Sequence, residues 1–333
     1  MADENKADKL STLGEFAFID TISARLDGSA DVLLGIGDDC AATTIPAGEV
    51  LLTSKDLLIE DVHFKRQWCS MSELGHKSAA VNLSDIAAMG GKPRHCFLGL
   101  GLPPQCRVDE VDAFIAAFIA TMSAAGCQLA GGDTCASRAG LLISVTVHGS
   151  GVASRLCRRD GAAVGDDIYV SGTIGDSAVA LYLLQHEQAV PPHLLRRHHR
   201  PEARLALGAQ LAGVASAMID VSDGLCADLG HILRRSRLGA EIDSSLVPLS
   251  QPLRAWLEQH PEQRQLALNG GEDYELLFTA APAARAAVQQ AATTAHTPIS
   301  RIGTTTATPG LTILTAAGVS RRDNPTGFNH FAR

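Results

Sequence analysis

Aromatic residues are scarce in this chain, and the signals that direct a protein to a membrane or to nucleic acid are missing. Only 4% of the 333 residues are aromatic, and no apolar run is long enough to cross a bilayer. The segment Met1–Leu10 lacks the basic start and apolar core of a secretory signal. A formal net charge of -8 argues against nucleic acid or an anionic membrane as the main partner. We therefore expect a cytoplasmic protein with neither kind of partner.

The cysteines lack the spacing of a metal or disulfide motif. Eight of them are scattered between Cys40 and Cys226, and none forms a C-x-x-C pair. This spacing argues against a zinc ribbon and against a disulfide framework. The remaining interpretation is a set of small buried side chains in a reducing cytosol.

The common phosphate-binding and hydrolytic motifs are absent too. The chain contains no G-x-x-x-x-G-K-[ST], no H-R-D or D-F-G, and no G-x-G-x-x-G after a strand. It also lacks H-E-x-x-H and G-x-S-x-G. These absences exclude P-loop enzymes, protein kinases, and the metalloproteases and hydrolases that carry those motifs.

The composition is that of an ordinary globular protein, with 46% hydrophobic and 19% charged residues. A length of 333 residues predicts two domains. We place their junction in the Gly-, Ala- and Arg-rich stretch Gly149–Gly165, which gives domains 1–150 and 151–333. Strands and helices alternate loosely, and this predicts an α+β fold in both halves.

Acidic residues recur in one local pattern. Six times an apolar run leads into Gly, Ser or Asn and then into an acid. The acids that end these runs are Asp38-Asp39, Asp56, Asp85, Asp133, Asp223 and Glu272-Asp273. A single Asp after a strand is usually a turn former or a helix cap, so the repetition carries the argument. Carboxylates beside small residues are accessible hard oxygen ligands, which suit Mg²⁺.

Asp85 is the strongest single candidate. The helix predicted over Ser72–Met89 places Val81, Asp85 and Ala88 on one face that is otherwise apolar. A buried carboxylate is costly unless it is paired or bound to a metal. The residues Ser222 and Asp223 are less decisive, because they could be ordinary caps of the next helix or could lie beside a nucleotide phosphate at its N-terminus.

A set of carboxylates of this kind suits a reaction between two phosphate-bearing substrates. ATP and a second phosphate ester together bring roughly six negative charges at neutral pH. Several metal ions can neutralise this charge in a protein without a phosphate-binding lysine loop. The residues alone therefore predict metal-dependent phosphate chemistry.

Several motifs, in order from Gly14 to Phe331, resemble those of a known family, the thiamine-monophosphate kinases. They are G-I-G-D-D at 35–39, D-x-L-x-E-x-V-H-F at 56–64, A-V-N-L-S-D-I-A-A-M-G at 80–90, G-G-D-T at 131–134, G-D-S-A at 175–178, D-V-S-D-G-L at 220–225, G-G-E-D-Y-E at 270–275 and G-F-N-H-F at 327–331. The resemblance implies a two-domain α+β subunit of the aminoimidazole-ribotide-synthetase-like superfamily, with mixed sheets and helices packed on one side. It also implies a homodimer in which the first domains join their sheets into a barrel-like core. The implied reaction is direct phosphoryl transfer from ATP to thiamine monophosphate, with several Mg²⁺ ions.

The resemblance also implies roles for individual residues. The implied catalytic acids are Asp85, Asp133 and Asp220. The implied metal ligands are Asp39, Ser54, Lys55, Asp56, Asp85, Asp133, Asp220 and Asp223. The implied nucleotide contacts are Gly132, Arg159 and Ser222, and the implied thiamine contacts are His63, Glu272 and Phe328. Arg159 can pair with a phosphate, and Phe328 can stack on a cationic ring, although His63 and Phe328 also permit purely structural roles.

Two residues depart from the family pattern, and they leave alternatives open. Lys55 stands where the family commonly has Thr, and Asn329 stands where it commonly has Asp. The Lys55 side chain could contact phosphate, or it could point outward and leave its backbone carbonyl to a metal. Among rivals in the superfamily, the selenophosphate-synthesising branch needs an N-terminal reactive cysteine, which Met1–Leu33 lacks, and the hydrogenase-maturation branch ends in a cysteine. A catalytically silent regulatory protein that binds a nucleotide or metal is the alternative from another class.

Overall fold

The structure is a computed structural model that describes residues 15–26, 28–37, 39–315 and 320–323. The chain divides into two compact units, Met1–Ile86 with Lys92–Val152, and Ala87–Gly91 with Ala153–Arg333. Among the described residues, no helix combines the length and apolar character needed to cross a membrane.

The first unit is built around a four-stranded mixed sheet. Its strands are β1 (Val32–Leu34), β2 (Ala42–Thr43), β3 (Val50–Ile59), β4 (Lys92–Leu102), β5 (Gln128–Ala136) and β6 (Leu142–Gly151), and its helices are α1 (Glu15–Ser23), α2 (Met71–Ala88) and α3 (Val108–Ala124). The main sheet has the order β3-β6-β4-β5, while β1 and β2 pair separately. This order makes β3 and β5 the two edge strands. Only the β4–β5 pair is parallel in the main sheet.

The two faces of this sheet differ because strand side chains alternate. Ile143 and Val145 of β6 are fully buried, as are Ile86 of α2 and Phe114 of α3. The other face is open, and its apolar side chains are exposed to solvent. They include Leu51 at 49%, Leu57 at 47% and Leu142 at 37% exposure. One face therefore carries the core, and the other is left for polar residues or for another surface.

Strands β3 and β5 run further than their apolar residues indicate. The sequence predicts strands over Val50–Leu52 and Gln128–Ala130, with the acids just beyond their ends. The ladder between β3 and β6 instead continues through Asp56 to Ile59, and the pairing of β5 with β4 continues through Asp133. These acids therefore lie within strands, where alternation decides which face each one occupies.

The second unit holds a seven-stranded sheet of order β13-β12-β9-β11-β7-β10-β8, in which only β12 and β9 pair in parallel. Its strands are β7 (Asp167–Ser171), β8 (Ala217–Asp220), β9 (Gly239–Asp243), β10 (Leu276–Ala280), β11 (Ile299–Thr306), β12 (Gly310–Leu314) and β13 (Ser320–Asp323). Its helices are α4 (Asp176–Gln185), α5 (Pro192–His199), α6 (Leu205–Leu211), α7 (Leu225–Ser236), α8 (Gln251–Gln259), α9 (Leu266–Asn269) and α10 (Arg285–Thr294).

Apolar clusters cover both faces of this second sheet. Ile168 and Val170 belong to a cluster that contains Leu229 of α7. Tyr169, which lies between them on β7 and points the opposite way, belongs to another cluster with Leu207 of α6 and residues of α10. The expectation of helices on one side is therefore corrected for this sheet, because its strands are buried on both faces and need helices on each.

The first unit depends on a close approach between α2 and α3, which Gly75 permits. A Cβ atom at Gly75 would lie 2.2 Å from the carbonyl oxygen of Phe114. We predict that Gly75→Ala destabilises the protein by about 1–3 kcal/mol, because the clash outweighs the better helix propensity of alanine. Urea denaturation measures the loss. Gly28→Ala is the control, since nothing lies within 4 Å of a Cβ there, and equal stability of the two variants would contradict the packing argument.

Candidate active site

Three predicted ligands come together in the first unit: Ser54, Asp56 and Asp85, called here the first acidic cluster. Ser54 and Asp56 are two residues apart on β3, so they share a face of the sheet. That face looks toward α2, where the Ser54 hydroxyl donates a hydrogen bond to Oδ2 of Asp85. The apolar helix face predicts that Asp85 points inward, and this inward position brings its carboxylate to β3.

The electrostatics of this cluster favour a cation. Burial and, to a smaller extent, the neighbouring Asp85 carboxylate together raise the pKa of Asp56 to about 6. Burial removes the water that stabilises the ionised form, and the second carboxylate places a like charge beside it. A divalent ion would relieve both, and two carboxylates with a hydroxyl are hard oxygen donors of the kind that Mg²⁺ prefers.

Lys55 points away from the first acidic cluster. Its Nζ donates to Oγ of Ser144 at 2.6 Å and to Oγ1 of Thr146 at 3.4 Å, both on the open face of the sheet. Strand alternation requires this, because Lys55 lies between Ser54 and Asp56. Of the two alternatives left by the sequence, the outward side chain is the one observed.

Asp133 and Gly132 lie on β5, the other edge strand of the sheet. Both are exposed, and Asp133 pairs with Gly99 of β4. The order β3-β6-β4-β5 separates β5 from β3 by three strand spacings, or about 14 Å. A Cβ at Gly132 would lie 2.0 Å from the carbonyl oxygen of Leu98, so strand packing alone requires this glycine. Within one chain, therefore, Asp133 does not join the first acidic cluster.

Asp39 and His63 occupy loops of the first unit. Asp39 is exposed between β1 and β2. His63 accepts a hydrogen bond at Nδ1 from the backbone N–H of Ile59 at 3.0 Å, which places the ring hydrogen on Nε2. The structural role that the sequence permits for His63 is present, and it also orients the ring. Phe328, Asn329 and Asp38 lie outside the described residues.

The loop after β8 gathers the predicted acids of the second unit. Asp220 is the last residue of β8 and is 2% exposed. The backbone N–H groups of Ser222, Asp223 and Gly224 all donate to Oδ2 of Asp228, at 3.0, 3.0 and 3.1 Å. Helix α7 therefore begins at Leu225 rather than at Asp223, and a side chain one turn along caps the loop. These three N–H groups are thus engaged by Asp228 and not by a phosphate.

Asp228 and His231 are residues that the sequence reasoning missed. Ligand atoms of Asp223, Asp228 and His231 lie within 4.8 Å of one another, and the three are called here the Asp223 group. Burial raises the pKa of Asp228 to about 7, with Asp223 adding to the rise. Burial likewise lowers the pKa of His231, whose electrostatic neighbours include Arg159 and Asp223. The only sequence signal was an acid inside the apolar stripe of α7, the same signal that marked Asp85.

The predicted substrate residue Glu272 lies directly beside this loop. Its backbone N–H donates to the carbonyl of Ser222 at 2.8 Å, and the N–H of Tyr274 donates to that of Val221 at 2.9 Å. Glu272 and Tyr274 both have left-handed backbone conformations, with φ of 68° and 52°. Such conformations are unfavourable for residues other than glycine and are often retained at functional sites. Predicted nucleotide and substrate positions thus meet within one unit.

A buried ionic network supports the Glu272 turn from behind. Glu275 is fully buried and accepts hydrogen bonds from Arg197 at 2.8 Å, from Arg204 at 2.6 and 2.7 Å, and from Ser171 at 2.6 Å. Asp273 accepts from the backbone N–H of Gly175 at 2.8 Å, and burial raises its pKa to about 8. Two acids of the G-G-E-D-Y-E motif, Asp273 and Glu275, therefore hold the turn, while Glu272 is the acid at its surface.

Family models match both units. The model "AIR synthase related protein, N-terminal domain" matches residues 37–150, and the model "AIR synthase related protein, C-terminal domain" matches residues 163–315. These matches confirm a two-domain α+β fold of this superfamily.

Several curated relatives are named thiamine-monophosphate kinase. The chain is 42% identical over 303 residues to the thiamine-monophosphate kinase of Escherichia coli K12. The aligned region covers 88% of this chain and 91% of that protein. It is also similar to the crystal structure of thiamine-monophosphate kinase from Stenotrophomonas maltophilia K279a, with a TM-score of 0.82, 42% identity, and 90% and 96% of the two chains covered. A structure described as AaThiL complexed with AMPPCP and TMP matches with a TM-score of 0.77 and 33% identity over 97% and 98% of the two chains.

The raised pKa of Asp56 makes a stability prediction for the metal-free protein. The pKa of Asp56 is about 6 in the folded protein, above its ordinary value of 3.8. Above pH 6 the folded protein must hold an ionised Asp56, which lowers its stability, whereas below pH 3.8 the carboxyl is protonated in both states and the cost is absent. We predict that Asp56→Asn stabilises the chain in EDTA by about 2–3 kcal/mol above pH 7, and that this gain shrinks toward zero near pH 4. Urea denaturation across this pH range measures it.

Asp160→Asn is the matched control. The Asp160 carboxylate pairs with Arg158 at 2.6 Å, and that contact lowers its pKa. Its removal should give no gain at high pH. If Asp56→Asn raised the free energy of unfolding equally at every pH, ionisation of the Asp56 carboxyl would not be the cause.

Proposed function

The chain belongs to the thiamine-monophosphate kinase family, and we propose that the magnesium ions for its transfer of phosphate from ATP to thiamine monophosphate are held by its separate groups of acids. The observation that carries this proposal is the first acidic cluster, where Ser54, Asp56 and Asp85 meet and the pKa of Asp56 is raised to about 6. Magnesium bound there would supply positive charge between donor and acceptor phosphates.

The proposed ligands come from both units. They are Asp39, Ser54, Asp56, Asp85, Asp133, Asp220 and Asp223, with Lys55 contributing through its backbone carbonyl. Asp228 and His231 join Asp223 in the set of donors. Asp85, Asp133 and Asp220 are the acids on which we expect turnover to depend most.

The chemistry needs positioning more than proton transfer. The monoester of thiamine monophosphate is largely ionised at neutral pH, so one of its oxygens can attack the γ-phosphorus of ATP in line without a strong general base. Gly132, Arg159 and Ser222 are proposed to contact the nucleotide. His63, Glu272 and Phe328 are proposed to contact the thiamine moiety, where a carboxylate and an aromatic ring both suit a cationic thiazolium.

We propose that the working enzyme is a homodimer, and the placement of the acids supports this. Asp56 lies on edge strand β3 and Asp133 on edge strand β5, about 14 Å apart by strand spacing. If β5 of one subunit lies beside β3 of its partner, two four-stranded sheets close into an eight-stranded barrel. Asp133, which shares the open face with Leu57 by strand register, then lies beside β3 of the partner subunit, and the exposed Leu51 and Leu57 become covered.

We place the reaction in the cytoplasm. All eight cysteines are free thiols, including the exposed Cys40 and Cys135. Exposed thiols persist in a reducing compartment, which supports this location.

The competing idea of a catalytically silent nucleotide-binding protein rests on Lys55, and the outward position of that side chain weakens it. Incubation of the chain with ATP, Mg²⁺ and thiamine monophosphate, followed by phosphorus NMR, separates the two. A diphosphate ester signal supports the kinase. Formation of ADP alone would point to another acceptor, and no turnover would favour the silent protein.

Substitution of Asp85 tests the metal proposal. We predict that Asp85→Asn remains folded but loses kcat by on the order of 10³-fold, because charge neutralisation at the phosphates fails. Circular dichroism and steady-state turnover measure the two properties. Asp109→Asn, an exposed acid on α3, is the control that should retain activity. Near-normal turnover by Asp85→Asn would refute the role of the first acidic cluster.

Mixed dimers test the shared site. Chains carrying Asp85→Asn and Asp133→Asn should each be inactive alone, whereas a heterodimer of the two has one intact site. Statistical pairing then gives about a quarter of wild-type activity after co-expression. Differently tagged chains verify that heterodimers form. If purified heterodimers are as inactive as the parents, both acids serve the same subunit and the edge-to-edge arrangement is wrong.

A further inference from the structure

A buried histidine on α5 lies against the carboxylate that we assign to the thiamine moiety. His198 is 4% exposed. Its Nδ1 atom is 2.9 Å from Oγ of Ser177 and 3.4 Å from Oε2 of Glu272. The Glu272 side chain is 25% exposed, so the acid reaches the surface while the histidine stays behind it.

Rigid surroundings hold His198 in this place. The preceding residue, Arg197, donates to Glu275 at 2.8 Å and to the carbonyl oxygen of Asp273 at 3.2 Å. On the other side, Ser177 lies in the first turn of α4, where its neighbour Asp176 is also fully buried. The imidazole is therefore fixed between two elements that themselves hold the Glu272 turn.

The contact with Glu272 has a chemical direction. A carboxylate only accepts hydrogen bonds, so the approach of Nδ1 is favourable when that nitrogen carries the ring hydrogen. The N–H dipole then faces both Ser177 and Glu272 and favours the ionised carboxylate. Because Glu272 also has a left-handed backbone with φ of 68°, its side chain leaves the turn in a constrained direction.

We propose that His198 is a positioning residue that, with Ser177, holds the Glu272 carboxylate in the orientation that binds the cationic thiamine moiety. This inference rests on the proposed function, since it takes Glu272 as the contact for thiamine. It predicts that His198 governs affinity for thiamine monophosphate and leaves ATP affinity and the transfer step unchanged, because it acts through its contacts with Ser177 and Glu272.

Two substitutions of one residue separate positioning from packing. His198→Leu keeps bulk and removes Nδ1, whereas His198→Asn keeps an N–H near the position of Nδ1. We expect His198→Leu to raise KM for thiamine monophosphate about tenfold, with kcat and the KM for ATP within about twofold of wild type. We expect His198→Asn to remain within about threefold for all three constants. Equilibrium dialysis of thiamine monophosphate without ATP should show the same order of affinities.

A double-substitution cycle identifies the partner. Glu272→Gln alone should weaken thiamine monophosphate binding, and His198→Leu added to it should cause little further loss, because both act through one carboxylate.

His193→Leu is the control on the same helix, since His193 lies 3.5 Å from Asp176 and has no part in the proposed contact. Ser177→Ala provides a milder variant if His198→Leu does not fold, and we expect an increase in the same KM.

Several outcomes would overturn the inference. They are additive losses in the double variant, equal increases in KM for ATP and thiamine monophosphate, and an unchanged KM in both His198→Leu and Ser177→Ala. Failure of the proposed function is recognised separately, because the wild-type chain would then form no diphosphate ester. An active wild type with unaltered variants rejects only the role of His198.

Discussion

The cost of holding carboxylates close together in a partly buried place governs this structure. The chain meets that cost in two ways. Where arginine is present, the charge is neutralised from within, as at Asp167, whose pKa is lowered to about 2 by Arg285 and, to a smaller extent, by Arg301. Where a buried acid faces another acid, as at Asp56 beside Asp85, burial and then the like charge raise the pKa instead. The first kind of acid builds the fold, and the second kind forms the cluster that we propose holds magnesium.

The same distinction explains why motif acids in the second unit differ in role. Glu275 and Asp273 are buried and hydrogen bonded within the network of Arg197 and Arg204. They fix a turn whose strained backbone presents Glu272 beside the loop of Ser222 and Asp223. The buried acids that hold the turn and the half-buried acid at its surface are thus neighbouring residues in one short motif.

Much of the architecture could be predicted from the residues, and the failures share a physical cause. The residues predict helices over Ser72–Met89 and Val108–Ala125 and a strand over Asp167–Ser171, and α2, α3 and β7 agree closely. Apolar residues recur at the helical period in the two helices and form a short continuous run in the strand. Strands β3 and β5 were predicted too short, since pairing with neighbours continues after the apolar run ends. Helix α5 was missed because it buries Arg197, His198 and His199, which an apolar pattern cannot detect.

The site followed the same rule. Asp85 was inferred from an acid on an apolar helix face, and it does lie with Ser54 and Asp56. Asp228 carries a similar signal but was missed, because its function is to reach back to the N–H groups of Ser222, Asp223 and Gly224. That contact depends on the path of a loop, which no local pattern specifies. The distance between the two edge strands likewise emerges only from the order of the sheet.

The alternation of Ser54, Lys55 and Asp56 along β3 has a consequence for how this chain tolerates change. A one-residue slip of β3 against β6 would turn a lysine toward Asp85 and carry both ligands to the opposite side. The Lys55 ammonium group would then occupy the place of the proposed cation. It would neutralise the Asp85 carboxylate, and the proposed metal site would be lost. An insertion or deletion in this strand should therefore impair the proposed site more than a substitution does, since the position of its ligands depends on the register of strand pairing.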